Sequence, residues 1–324
     1  MDRRSFLATG AFAAGLAAAP GLSAATTLPS PSDKTFKPIP RRRLGKTGRE
    51  LSIIGLGGIV IMHEDQAVAN NTVAQAHDAG INYVDVAPSY GDAQQLLGPA
   101  LKPYRDSFFL ACKTGKRDQA GAAAALDNSL KLLDTDHLDL YQHHAVTTIE
   151  DVHRIMGPGG AQEAFEAGRK AGKIRYLGFS AHSEEAALAL LDHFDFDTVL
   201  FPINFVLATK RNFGPRVIAR VHEKGAGMLA IKAMAKSQWP AGMAKGEKPN
   251  PKEWYEPCSV PDQAALALRW TLSQRITAAI PPGDERYFPL AMYVAQNFQP
   301  ITPEEESHLV ASAADATPIF PHHA

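Results

Sequence analysis

From Arg41 onward, short apolar runs alternate with longer stretches whose apolar residues recur every three or four positions, the pattern of strands followed by helices. The runs predict strands near 52–57, 82–86, 107–113, 137–143, 174–179, 198–203, 227–232 and 276–280. The periodic stretches predict helices near 67–79, 93–102, 119–133, 160–171, 183–192, 213–224, 261–273 and 286–297. Eight such pairs in one chain describe an α/β protein, a (β/α)8 TIM barrel whose active site lies at the C-terminal ends of its strands. Beyond them, Glu304 to Ala313 predicts an extra C-terminal helix across the outside of the barrel, with Thr302 as its cap and Glu305 three residues on. The longest stretch without periodicity, 233–261, carries Trp239, Trp254 and Tyr255, and its aromatic content predicts a lid. Two further loops, 146–160 and 59–66, are placed to form other walls of a pocket.

The N-terminus follows a different pattern. Arg3 and Arg4 precede an apolar, alanine-rich stretch from Ala8 to Ala19, followed by Pro20-Gly21 and small residues to Ala25. This predicts a twin-arginine signal peptide over 1–25, engaging the twin-arginine export machinery and giving a periplasmic or otherwise exported protein. The apolar run is too short and too rich in glycine and alanine for a membrane span. Residues 26–40, rich in Ser, Thr and Pro, predict a linker, leaving 41–324 for the barrel. A net charge of −1 over 324 residues argues against a nucleic-acid partner, or a membrane partner after processing. Two cysteines, Cys112 and Cys258, do not make a disulfide framework.

The chemistry concentrates at successive strand ends. Asp85 closes one strand, Tyr90 follows in the loop broken by Pro88 and Gly91, Lys113 closes the next strand, and His143-His144 close the one after. A phenol can donate a proton if a nearby ammonium, held by a carboxylate, lowers its pKa from about 10. The segments DVAPSYGDAQQLLG, ACKTG, HLDLYQHH, AGKIRYLGFS and ITAAIPPG, in this order and spacing, resemble the aldo/keto reductase family from about Arg41 to the C-terminus. The resemblance implies hydride transfer from a nicotinamide cofactor to a carbonyl carbon. Tyr90 would be the proton donor, Lys113 would lower its pKa, Asp85 would fix Lys113, and His144 would orient the carbonyl oxygen. It also implies a short hairpin from Arg42 to Gly48 closing the opposite end of the barrel, and Met62, His63, Trp239 and Trp254 as candidate substrate contacts.

For the cofactor, the resemblance implies NADP, with NAD as the other possibility, held by Gly57, Ser180, Asn204, Lys232, Gly283, Arg286 and Asn297. Several positions depart from the family pattern. Ala181 stands where an asparagine usually follows Ser180, Leu200 where a glutamine is expected, and Ile231 where an aromatic ring stacks on the nicotinamide. Pro281-Pro282-Gly283-Asp284-Glu285-Arg286 replaces the lysine-serine pair that holds the 2′-phosphate. Each loss removes a hydrogen bond or a stack of order 1 kcal/mol. A second reading therefore stands beside the reductase: the Asp85, Tyr90, Lys113 and His144 set in cofactor-free proton transfer, as an epimerase or lyase. A third is a binding protein, against which four intact catalytic residue types argue. A metal hydrolase is disfavoured because adjacent residues on a strand, His143 and His144, face opposite ways.

Overall fold

In the computed structural model, which describes residues 37–320, the chain opens on a hairpin, β1 (Arg41–Arg43) antiparallel to β2 (Glu50–Ser52). The barrel strands follow: β3 (Leu56–Gly57), β4 (Tyr83–Asp85), β5 (Phe109–Thr114), β6 (Leu138–Val146), β7 (Ile174–Ala181), β8 (Thr198–Pro202) and β9 (Gly227–Ile231). An antiparallel ribbon of β10 (Ala235–Gln238) and β11 (Tyr255–Pro257) intervenes before the last barrel strand, β12 (Ala278–Ala279). The helices are α1 (Gln66–Asp78), α2 (Ala93–Leu101), α3 (Gln119–Leu132), α4 (Ile149–Met156), α5 (Ala161–Lys170) and α6 (Glu184–His193). They continue with α7 (Phe205–Arg211), α8 (Pro215–Glu223), α9 (Pro261–Ser273), α10 (Tyr287–Gln296) and α11 (Pro303–Ala311).

The parallel sheet runs in order from β3 to β9 and then β12, and it closes on itself. Ile54 bridges Ala279, with Gly55 N donating to Ala279 O at 3.0 Å and Ala279 N donating to Ile53 O at 2.9 Å. Strand alternation then separates two cores. Tyr83, Phe109, Ala111, Leu140, Leu200, Leu229, Ala278 and Ile280 fill the barrel, while Val84, Cys112, Tyr141, Phe179 and Phe201 pack outward against the helices. The hairpin plugs the N-terminal end from below. Its Leu44 and Leu51 join the interior cluster, and a Cβ at Gly227 would lie 2.4 Å from Leu44 Cδ1, so only glycine fits beneath the plug. Arg42 ties it down by donating to Ile276 O and Leu272 O at 3.0 and 2.9 Å.

All eight predicted strands and the eight predicted helices that follow them are present, and Thr302 and Glu305 form a full capping box on α11. Three departures have local causes. The stretch 146–160 contains α4, an eight-residue helix capped by Thr148 whose Val152 and Ile155 supply too few turns for a visible period. α7 falls between the predicted strand 198–203 and the predicted helix 213–224, where Phe205-Val206-Leu207 is a continuous apolar run with no helical period, and the Asn204 side chain caps it by accepting from Leu207 N at 2.9 Å. The β10–β11 ribbon joins segments sixteen residues apart (239–254 between them), a pairing that local pattern does not carry. Part of the predicted linker is also docked: Ile39 is buried and its N donates to Ala79 O at 3.2 Å. The signal peptide and the rest of the linker lie outside the described residues.

On the outer wall, Asp139 of β6 accepts from Arg175 at 2.8 Å, Arg105 at 3.3 Å and Leu110 N at 2.9 Å, joining three consecutive barrel strands. Asp139→Asn should lower stability by about 2 kcal/mol, read as a shift of the urea midpoint at constant slope. An unchanged midpoint would mean that the guanidinium groups are satisfied by water.

Candidate active site

The same alternation that fills the barrel with Tyr83, Ala111 and Leu140 brings Asp85, Lys113 and Gln142 inward one layer higher, at the C-terminal mouth. Above them, His144 and, on the next strand, Ser180 continue the inward rows. His143 faces outward, stacked on Phe165 with ring centroids 3.9 Å apart and its Nε2 at 2.9 Å from Gln162 Oε1. It belongs to the helical layer, where its Nδ1 is buried without a partner.

Asp85 and Lys113 are almost fully buried, at 2% and 1% exposure, and form a direct ion pair. The second carboxylate oxygen accepts from Gln142 Nε2 at 3.1 Å and Tyr83 OH at 3.2 Å, and Lys113 also donates to Val86 O at 3.3 Å. Burial alone would discharge the ammonium, but the Asp85 carboxylate outweighs it and the Lys113 pKa is raised. Tyr90 lies with its ring centroid 5.2 Å from Lys113 Nζ and 6.1 Å, edge to face, from the His144 ring. Here one expectation changes sign. Burial pushes the Tyr90 phenol up, and the pull of Lys113 in the other direction only partly offsets it, so the phenol carries its proton at neutral pH. His144 is held neutral, its pKa pushed down to about 3 by burial and then by Lys113, Lys232 and Arg117.

A second group of side chains closes the mouth, and apart from Lys232 and Trp254 it was not legible in the sequence. Lys232, at the end of β9, places Nζ 3.3 Å from His182 Nε2 and 5.7 Å from the ring centroids of both Trp254 and Phe320. Burial brings its pKa down to about 7. Glu253, 5% exposed, accepts from Gly283 N, and burial pushes its carboxyl up. His182 could have been found by continuing the inward row from Ser180, whereas nothing local distinguishes Glu253 or Phe320. Three non-glycine residues at this mouth, His63, Ala145 and Lys232, hold positive φ of 64°, 53° and 61°. Such backbone costs about 1–3 kcal/mol each and clusters at functional sites.

The predicted contacts divide accordingly. Met62 and His63 lie against the loop of Tyr90, where a Cβ at Gly91 would come within 3.0 and 2.8 Å of their side chains. Trp254 is half exposed over Lys232, while Trp239 donates to Glu253 O at 3.0 Å and buttresses the lid. Gly57 sits under Ile280 beside the mouth. Ser180 Oγ accepts from Ala145 N at 2.8 Å, and Asn204 keeps a buried Nδ2 with no partner. Arg286 is committed to Asp284, donating to both its oxygens at 2.7 Å. Asn297 is not brought to this face. It ends α10, which runs down the barrel wall, and the next residue, Phe298, lies 5.3 Å from the guanidinium of Arg42 in the bottom hairpin.

A nicotinamide dinucleotide fits this mouth at one end. The orphaned Asn204 Nδ2 and the Ser180 hydroxyl suit a carboxamide, since a buried donor without a partner is otherwise costly. At the other end, where phosphates would lie, Lys232 and the Gly283 amide are the donors, and the Gly283 amide is held by Glu253.

The family model for the aldo/keto reductase family matches residues 54–286. The chain is 35% identical over 164 residues to the aldo-keto reductase YhdN of Bacillus subtilis, covering 44% of this chain and 47% of that protein. It is 25% identical over 239 residues to the L-galactose dehydrogenase of Arabidopsis thaliana, covering 66% and 69%. The chain spans about half the length of most of the curated relatives it matches. Among solved structures, an aldo-keto reductase of Bacillus halodurans in its holo form superposes with a TM-score of 0.66 at 23% identity, covering 87% of this chain and 98% of that one.

The buried histidines make stability depend on pH. His143 and His144 bind protons only near pH 3 in the folded chain and near 6.5 when unfolded. The unfolded chain therefore takes up more protons between about pH 6.5 and 3, and stability falls as the pH drops through that window, by up to about 1.4 kcal/mol per unit for each ring. Urea titrations at successive pH values should show this fall, and the His144 ring carbons should keep neutral-imidazole NMR shifts from about pH 8 to 5. A His144 titration near 6.5 would contradict the electrostatics described here.

Proposed function

The chain belongs to the aldo/keto reductase family of oxidoreductases, and on that premise we propose that it reduces a carbonyl compound, an aldehyde, ketone or sugar-like substrate, to the alcohol with NADPH, NADH being the alternative. The observation that carries the reading is the convergence of a protonated phenol, a paired ammonium and a neutral imidazole at one mouth. When bound, the dinucleotide supplies the hydride. Tyr90 gives its proton to the carbonyl oxygen, and Lys113 stabilises the phenolate left behind. Asp85, fixed by Gln142 and Tyr83, keeps Lys113 charged and aimed. Neutral His144 donates an N–H to the same oxygen and orients it. Ser180 and Asn204 hold the carboxamide end, while Lys232 faces the phosphates.

The twin-arginine pattern ahead of the barrel supports an activity outside the cytoplasm, after export of the folded chain. A reductase there depends on a cofactor carried with it. The second reading, epimerase or lyase chemistry by Tyr90 and Lys113 without a cofactor, draws support from the lid carboxylate on the Gly283 amide.

Tyr90→Phe should lower the turnover of carbonyl reduction by roughly 100- to 10,000-fold while leaving NADPH affinity unchanged. Single-turnover kinetics and calorimetry separate the two quantities. Retention of turnover within a few-fold would remove Tyr90 as the proton donor.

A further inference from the structure

Glu253 is a buried titratable group at the mouth for which carbonyl reduction has no task. It enters on the excursion between β10 and β11, and the segment around it is fastened on three sides. Asn250 donates to Asp284 at 3.0 Å, Arg286 donates to Pro249 O at 2.7 Å, and Trp239 donates to Glu253 O at 3.0 Å. Lys252 reaches the opposite loop, donating to Val60 O at 2.7 Å and Glu64 at 2.8 Å. The effect is to press a carboxylate, with the Tyr255 phenol beside it, onto the backbone amide Gly283 N in the loop after the last barrel strand. Gly283 itself packs tightly, since a Cβ there would lie 2.2 Å from Ile59 Cγ2, and its amide is directed to an oxygen. The oxygen that takes it is the chain's own.

Two of the three cations around it are already neutralised. Arg286 is held by both oxygens of Asp284, and Lys252 by Glu64 and, at 3.6 Å, Glu285. Lys232 has no carboxylate within 4.0 Å among the described residues and feels Glu253 from further off. A dinucleotide phosphate arriving here meets a carboxylate, one lysine that is only partly charged near neutral pH, and an amide already bonded.

We propose that Glu253 is the residue that sets affinity for the dinucleotide: its carboxylate occupies the Gly283 amide that a phosphate oxygen would use, and a nicotinamide dinucleotide binds only by displacing that side chain. The inference rests on the reductase reading above. It accounts for a site whose nicotinamide end is open to a ligand while its phosphate end is satisfied from within. Once displaced, the lid that carries Glu253 remains tethered through Lys252 and Asn250, so the same segment that opposes entry stays close to the occupied site.

The test is calorimetric titration of the full chain and of its Glu253→Gln and Glu253→Ala variants with NADPH, and separately with inorganic pyrophosphate, which has no nicotinamide. Glu253→Ala removes both the charge and the bond to Gly283 and should tighten both ligands roughly tenfold or more. Glu253→Gln keeps the shape and the acceptor while removing the charge, and should give a smaller gain in the same direction. Circular dichroism checks the fold, and Glu253→Gln decides the matter if the alanine variant does not fold. Unchanged or weaker binding in the folded variants overturns the proposal. Equal NADPH binding by all three proteins removes the role of Glu253 and leaves the reductase reading standing, whereas no NADPH binding by any of them removes both.

Discussion

An ammonium group buried at the centre of a barrel persists only if a carboxylate and further oxygens surround it, and removing one member of such a pair typically costs 3–5 kcal/mol. The Asp85–Lys113 pair imposes that condition on everything near it. Asp85 must face inward, which fixes the register of β4 against β5. Gln142 must lie on the same layer of β6, which places His144 one inward step higher. Tyr90 then has a position within reach of the ammonium only because the loop after β4 turns at Pro88 and Gly91. The pair is therefore a structural bolt through three strands and, from the same geometry, the source of the positive charge that receives a developing phenolate.

The fold was legible because a barrel repeats one local pattern, and each of its strands and their following helices carries its own period. The convergence of the candidate set was legible for a related reason: Asp85, Lys113 and His144 occupy strand ends, where alternation dictates which way a side chain points. What was lost has a common character. α4 and α7 are too short to show a period, the β10–β11 ribbon is a non-local pairing, and His182 and Phe320 meet Lys232, as Glu253 meets Gly283, only through tertiary contact. Asn297 fails for the opposite reason, since a motif match along the chain ignores that the end of α10 lies at the bottom of the barrel.

The direction of the Tyr90 shift refines the chemistry. A donor that kept a low pKa would be partly ionised before the carbonyl arrived. Burial instead keeps the proton on the phenol, and in the proposed reduction Lys113 would act on the phenolate once the proton has left. The neutral state of His144 follows first from its burial and then from the positive charges of Lys113, Lys232 and Arg117 around it. Burial thus opposes negative charge on the Tyr90 oxygen, and Lys113 is the group in the mouth that offsets part of that cost.

The central claim is that this mouth moves a hydride to a carbonyl carbon. The most direct measurement is mass spectrometry of the product formed from a small aldehyde and NADPH carrying deuterium on its transferable carbon, run in ordinary water. The account predicts one deuterium on the new carbinol carbon and an oxygen-bound hydrogen from solvent. Absence of deuterium from the product, with an aldehyde deuterated on the carbon beside the carbonyl losing that label to the water, would contradict it and assign the same four residues to proton transfer.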